Sequence, residues 1–217
     1  MADIFHEVDE EVRRERLARI WQRYSGLIIA ACVLVVAAVG GWRGYEWYTA
    51  RQAAVAGGQF EAAVTLAEAN KSAEAQAAFD KVAAEAPGGY STLARFRAAA
   101  ELAKTKKDDA VKAYDALASD GSLSALWQDL AAIRAGMLLV DTAPLADMQK
   151  RLDPLAESAR IYRHSARDLL ALSAWRAKDA AATKKYLDMI AGDAETPPGI
   201  RSRADVLAAL MAGNGKS

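Results

Sequence analysis

From Tyr24 to Trp42 the chain runs 19 residues without a charge, bounded by Arg23 and Arg43. At about 1.5 Å per residue a helix over this stretch is about 28 Å long, close to the ~30 Å hydrocarbon layer of a bilayer. Trp21 and Tyr24 stand at one edge and Trp42, Tyr45, Trp47 and Tyr48 at the other. Amphipathic rings favour the headgroup level, so both ends support a membrane span. A buried helix of a soluble protein is the plain alternative. A cleavable signal peptide fits less well, because it needs a short basic n-region and six acidic residues precede this run. Cys32, after Ile29-Ala30-Ala31, mimics a lipid-acylation box but has too few apolar residues before it.

The basic residues near each end set the orientation. Arg13, Arg14, Arg16, Arg19 and Arg23 precede the span, and Arg43 and Arg51 follow it. The positive-inside rule then places the N-terminus in the cytoplasm and the rest of the chain across a bacterial inner membrane, in the periplasm. In the tail, Asp9 with Arg13, Glu10 with Arg14 and Glu15 with Arg19 are acid-before-base pairs at i,i+4. Each supports a helix by a few tenths of a kcal/mol. The tail reads as a solvated helix, with a docking segment for a cytoplasmic partner as the alternative. Inside the span Ala30, Ala37, Gly41 and Gly44 form a smooth stripe, and Gly40 with Gly44 is a small-xxx-small pair. Such stripes let a second transmembrane helix approach closely, so these five residues are candidates for helix packing in the membrane.

Beyond Tyr48 no second run is long enough to span. Of the 217 residues 51 are Ala, and the five Pro sit at Pro87, Pro144, Pro154, Pro197 and Pro198, which leaves long stretches free for helix. Amphipathic periodicity and breakers predict helices over 50–70, 72–86, 90–104, 108–119, 123–140, 144–158, 160–177, 179–191 and 199–212. The last, with Ile200, Val206, Leu207 and Leu210, is expected to cap the domain. The predicted fold is all-α, and the chain divides into a charged tail (1–23), a transmembrane helix (24–42), a juxtamembrane helix (43–57) and a helical-hairpin domain (58–217).

A repeat runs through that domain. Ala75, Phe79, Val82 and Pro87 stand at offsets 0, 4, 7 and 12, and Ala110, Tyr114 and Leu117 reproduce the first three 35 residues later. Ala182, Tyr186 and Met189 do so 72 residues beyond Ala110, with a divergent copy between them on the helix of Leu145, Met148, Leu152 and Leu155. The small residue lets paired helices touch and the aromatic fills the space between hairpins. These offsets resemble the second helix of the tetratricopeptide repeat, with Phe60, Phe96, Trp127 and Trp175 as anchors on the first helices. A generic helical bundle is the competing reading. A solenoid of this kind offers a binding groove, for which Tyr90, Phe96, Trp127 and Tyr162 are the candidate residues, inter-helix core being their plainer role.

The charge balance, 28 basic against 28 acidic groups, argues against nucleic acid as a partner. Two His and one Cys make a Cys/His zinc site improbable on count alone. No phosphate-binding loop, dinucleotide fingerprint, metalloprotease or nucleophile-elbow motif occurs. The chain therefore reads as a non-enzyme without cofactor, metal or small-molecule substrate. His164 and Asp168, at i,i+4, are the one possible acid/base pair, more simply a surface contact, and Arg160, Arg163 and Arg167 read as a solvated basic face.

The order of features, a charged tail, a span leaving through Gly41-Trp42-Arg43, an Ala-rich helix and then Gly89-Tyr90-Ser91-Thr92-Leu93-Ala94 opening a repeat, resembles the YfgM-type ancillary subunits of the SecYEG translocon, also described as the tetratricopeptide repeat-like domain family of bacterial inner membranes. The resemblance implies a single-span, periplasm-facing protein that associates with translocon subunits and with periplasmic chaperones handling exported chains. It brings no catalytic residues. An envelope adaptor for another membrane or outer-membrane assembly is the second reading, and a membrane-tethered enzyme the third. The orientation predicts that a reporter fused after Ser217 is active only if it matures in the periplasm; activity solely from a cytoplasmic reporter overturns it.

Overall fold

A computed structural model describes residues 3–157 and 159–214, with the side chains of 3–17, 19–20 and 214 outside that set. The tail pairs Asp9–Arg13, Glu10–Arg14 and Glu15–Arg19 thus fall outside the described side chains. Every regular element is helical: α1 (Asp3–Glu68), α2 (Ser72–Glu85), α3 (Gly89–Ala103), α4 (Lys107–Ala118), α5 (Ala125–Leu139), α6 (Leu145–Ala156), α7 (Arg163–Arg176), α8 (Ala180–Ala191) and α9 (Pro198–Asn214). The fold is all-α, and the structure forms two units, the first ending at Val55 and the second beginning at Ala56.

Among its described residues the first unit is helix alone. Neither Pro nor a left-handed residue interrupts its described residues, so the stretches that composition separates at 23 and 42 share one backbone helix. From Trp21 onward this helix is long and apolar enough to cross a membrane, and none of its apolar stretch is buried. Leu27, Leu34, Val36 and Trp42 are each at least 70% exposed. Leaving each such side chain in water forgoes about 1.5–3 kcal/mol, whereas a helix satisfies its own backbone and is at home in hydrocarbon.

The second unit stacks helices around three apolar clusters. In the first, Phe60 and Ala63 of α1 meet Ala75, Phe79 and Val82 of α2 and Ala94 and Ala98 of α3. In the second, Phe96 and Ala99 meet Tyr114 and Leu117 of α4 and Ala131 and Ala135 of α5. The third gathers α6 to α9 around Met148, Leu152, Leu170, Tyr186 and Ile190. Ala75, Phe79 and Val82 of the first copy and Ala110, Tyr114 and Leu117 of the second are buried, while Pro87 is exposed. The last differs by one residue: Thr183 and Ile190 are fully buried, while Ala182 and Met189 are half-buried. Thr183, Leu187 and Ile190 therefore hold offsets 0, 4 and 7, and Met148, Leu152 and Leu155 hold them on α6. The copies follow one another at 35, 38 and 35 residues. Tyr186 stands one place aside because its hydroxyl reaches across to α6, where it donates to Asp153 at 2.9 Å and accepts from Gln149 at 3.1 Å.

Close approach decides two glycines. A Cβ on Gly136 would lie 3.1 and 3.3 Å from the two methyls of Leu152 and 3.5 Å from Leu169, so α5 presses against both α6 and α7 there. A Cβ on Gly57 would meet the Tyr90 hydroxyl at 3.0 Å. The capping helix α9 buries Ala204 and Leu207 with Ile200 and Met211 beside them, but Val206 and Leu210 are 59% and 52% exposed. The core stripe has the spacing 200, 204, 207, 211, and Val206 and Leu210 point off its side.

Two tight turns use left-handed residues. Asn70 and Lys178 have φ of 58° and 59°. At the second, Lys178 N–H donates to Trp175 O and Asp179 N–H to Ala174 O, both at 3.0 Å, which closes a Schellman cap. A lysine in this conformation costs about 1 kcal/mol that glycine does not. Lys178→Gly should raise the melting temperature by about 2–4 °C and Asn70→Gly by less, as read by thermal denaturation; a lower melting temperature for Lys178→Gly contradicts the assignment.

Candidate protein-interaction surface

The large apolar side chains left exposed in the second unit are unevenly shared. Among the described residues they are Leu93 on α3, Leu126 and Met137 on α5, Leu172 on α7, Val206 and Leu210 on α9, and Ile161 in the loop before α7. Apart from Ile161 all lie on odd-numbered helices. The helices α2, α4, α6 and α8 carry none, because their apolar faces are spent on the clusters described above. Contacts of α7 with both α5 and α9 make these three helices neighbours, and α3 shares a cluster with α5 through Phe96, Ala99, Ala131 and Ala135. Arg97 and Arg134 are exposed on α3 and α5. A helix surface that mixes apolar and cationic side chains suits a protein segment better than a small polar substrate.

The aromatic candidates lie in three places. Tyr90 is half-buried with its ring 6.0 Å from that of Phe60. Phe96 is buried, and half-buried Trp127 lies against it with ring centroids 5.4 Å apart. Half-buried Tyr162 packs on the third cluster. The structure thus brings Phe96 and Trp127 together and places Tyr90 and Tyr162 with other helices. In the first unit Ala30, Ala37, Gly40, Gly41 and Gly44 are exposed, and space is open around the three glycines. The exposed apolar residues of the odd helices were missed in the sequence because their neighbours on the same helix are equally apolar; only the packing separates Val206 from Leu207.

The arginines near the start of α7 do not form a solvated face. Arg167 is 4% exposed, and its Nε donates to the carbonyl of Ala156 at 2.9 Å. One of its terminal nitrogens meets Asp193 at 2.8 Å, as does Nε of Arg163. Arg163 also pairs with Glu195, and Arg160 lies 3.3 Å from Asp129. These bonds latch the α8–α9 loop and the end of α6 onto α7. The two arginines hold the Asp193 carboxyl below the ordinary carboxylate range. His164 and Asp168 face different partners: His164 Nδ1 lies 3.3 Å from the Thr196 hydroxyl and 3.8 Å from Asp193, whereas Asp168 accepts from Arg203 at 2.6 Å. Their side chains are engaged separately rather than with each other. Among the described residues no cluster of three His, Cys, Asp or Glu could hold a metal ion.

The sequence model of the tetratricopeptide repeat-like domain family matches residues 19–169, well over half of the chain and including the apolar stretch of α1. No curated protein and no solved structure matches the chain.

Burial, and then the neighbouring Arg163, push the His164 pKa below its ordinary 6.5, so the folded state holds the ring neutral more firmly than the unfolded state does. The unfolded chain then binds more protons below pH 6.5, and stability falls as the pH drops through that point. The only other histidine, His6, is in the tail. The melting temperature should fall between about pH 6.5 and 5, above the carboxylate range, and His164→Gln should flatten that decline. An unchanged slope in the variant rules out this cause.

Proposed function

Since the chain belongs to the tetratricopeptide repeat-like domain family, we propose that it is a membrane-anchored scaffold binding proteins along α3, α5, α7 and α9. Repeats of this kind are typically interaction modules, because stacked hairpins expose a continuous face of equivalent helices. The observation that carries the proposal is the confinement of exposed Leu93, Leu126, Met137, Leu172, Val206 and Leu210 to those helices, together with one helix apolar enough to span a bilayer. Tyr90, Trp127 and Tyr162 would offer their open edges to a bound segment, while Phe96 sets the spacing of the helices that carry it.

The finer reading follows from the order of features in the sequence. The tail (1–23) lies in the cytoplasm, the span (24–42) in the bacterial inner membrane, and the juxtamembrane helix (43–57) and repeat domain (58–217) in the periplasm. There the scaffold stands beside the Sec translocon and shares exported chains with periplasmic chaperones. In the bilayer Ala30, Ala37, Gly40, Gly41 and Gly44 form the face against which a translocon helix packs.

Site-specific photocrosslinking in intact cells tests both levels. A probe at Ala37 or Gly41 should capture a translocon subunit. Recovery of a different envelope assembly at those positions would favour an adaptor role elsewhere, and recovery of no translocon component rejects the Sec reading. Probes at Leu126 and Met137 should give protein adducts, and probes at exposed Asp109 and Lys184 on even helices should give none; equal labelling of both sets rejects the odd-helix surface.

A further inference from the structure

The odd-helix surface is not uniform. Between α7 and α9 it sinks into a groove of about 380 Å³ lined by Leu172, Trp175, Arg203, Val206, Leu207 and Leu210. Trp175 also lines a second cavity of about 460 Å³, bounded by Arg176, Lys178, Ala180 and Thr183. From this geometry we infer that the two cavities dock one amphipathic protein segment whose apolar side chains enter the α7–α9 groove and whose carboxylates meet the cations around Trp175. The inference rests on the scaffold reading above and names the partner chemistry for one part of that surface. Trp175 and the other lining residues come after residue 169, where the family match ends, so the site is a feature of this chain rather than of the matched region.

Three observations favour this occupant. Val206 and Leu210 are more than half exposed although α9 already fills the core with Ala204 and Leu207, so the fold does not need them where they are. The groove is concave and apolar between two helices, the setting into which the apolar stripe of an amphipathic helix fits. The lining of the two cavities holds three cations and no carboxylate. Arg203 is paired with Asp168, but Arg176 donates only to the uncharged carbonyls of Val140 and Ala143, and the exposed Lys178 is pinned by its turn next to Trp175. A second copy of this chain is disfavoured, because a two-fold contact would set the same cations against each other.

The test uses the full chain in nanodiscs of phosphatidylcholine. The probe is a fluorescent amphipathic helix of about 18 residues with a leucine stripe flanked by Glu, compared with a twin flanked by Lys. Fluorescence anisotropy should show the Glu peptide binding about tenfold or more tighter than its twin. Val206→Asp and Leu210→Asp should each weaken it about tenfold, and Lys178→Glu about threefold. Both apolar positions are exposed, so an unchanged melting temperature verifies that the variants are folded. Equal binding of the two peptides, no binding of the Glu peptide, or binding untouched by both Asp variants overturns the inference. So does recruitment of the nanodisc-held chain to phosphatidylglycerol vesicles that is lost in the Asp variants, since that marks a lipid site. If the peptide result is negative while Leu126 and Met137 still give adducts in cells, the groove fails and the scaffold reading stands.

Discussion

The repeat domain depends on helices meeting through side chains no larger than a methyl group. Ala63, Ala75, Ala94, Ala110, Ala131, Ala135, Ala166 and Ala174 are wholly buried, and Gly136 goes further by admitting the Leu152 methyls where a Cβ would stand. An alanine contributes little apolar area itself. Its effect is geometric: it brings backbones close, so that the few large side chains between hairpins make many contacts each. Phe79, Leu117, Met148, Leu152, Leu170, Tyr186 and Ile190 are the side chains that fill those spaces, each worth about 1.5–3 kcal/mol on burial.

That division of labour has a consequence for the surface. The even helices turn their apolar faces inward and keep polar residues outside, while the odd helices are covered on one side by their partners and retain apolar groups on the other. An exposed apolar surface thus arises from how the hairpins stack rather than from a separate motif. The same economy is absent from the apolar stretch of α1, which is long and apolar enough to cross a membrane and has apolar residues on every side.

Charged groups hold the ends of the stack. Arg167 carries its guanidinium into the protein because Ala156 O, Met189 O and Asp193 satisfy it there, and Arg163 adds a second bond to the same carboxylate. Nearer the surface, Arg151 with Asp115 ties α6 to α4, and Arg95 with Asp120 ties α3 to the turn after α4. Asp120, which also accepts from Ser122, has its pKa lowered to about 2.

Much of this was legible in the amino-acid sequence. An uncharged run of bilayer length, helices bounded by Pro and Gly, and a small–aromatic pattern repeated at 35 residues are local signals, and local geometry alone determines them. The family and the all-α fold follow from those. What only the tertiary structure decided are the choices among chemically equivalent neighbours: Thr183 rather than Ala182 in the core, Leu207 inward and Val206 outward, Arg167 as a buried latch instead of a solvated cation, His164 turned to Thr196 instead of Asp168. Each depends on which face of a helix its neighbour covers and on a partner far away in sequence, and a periodicity of 3.6 carries no record of either.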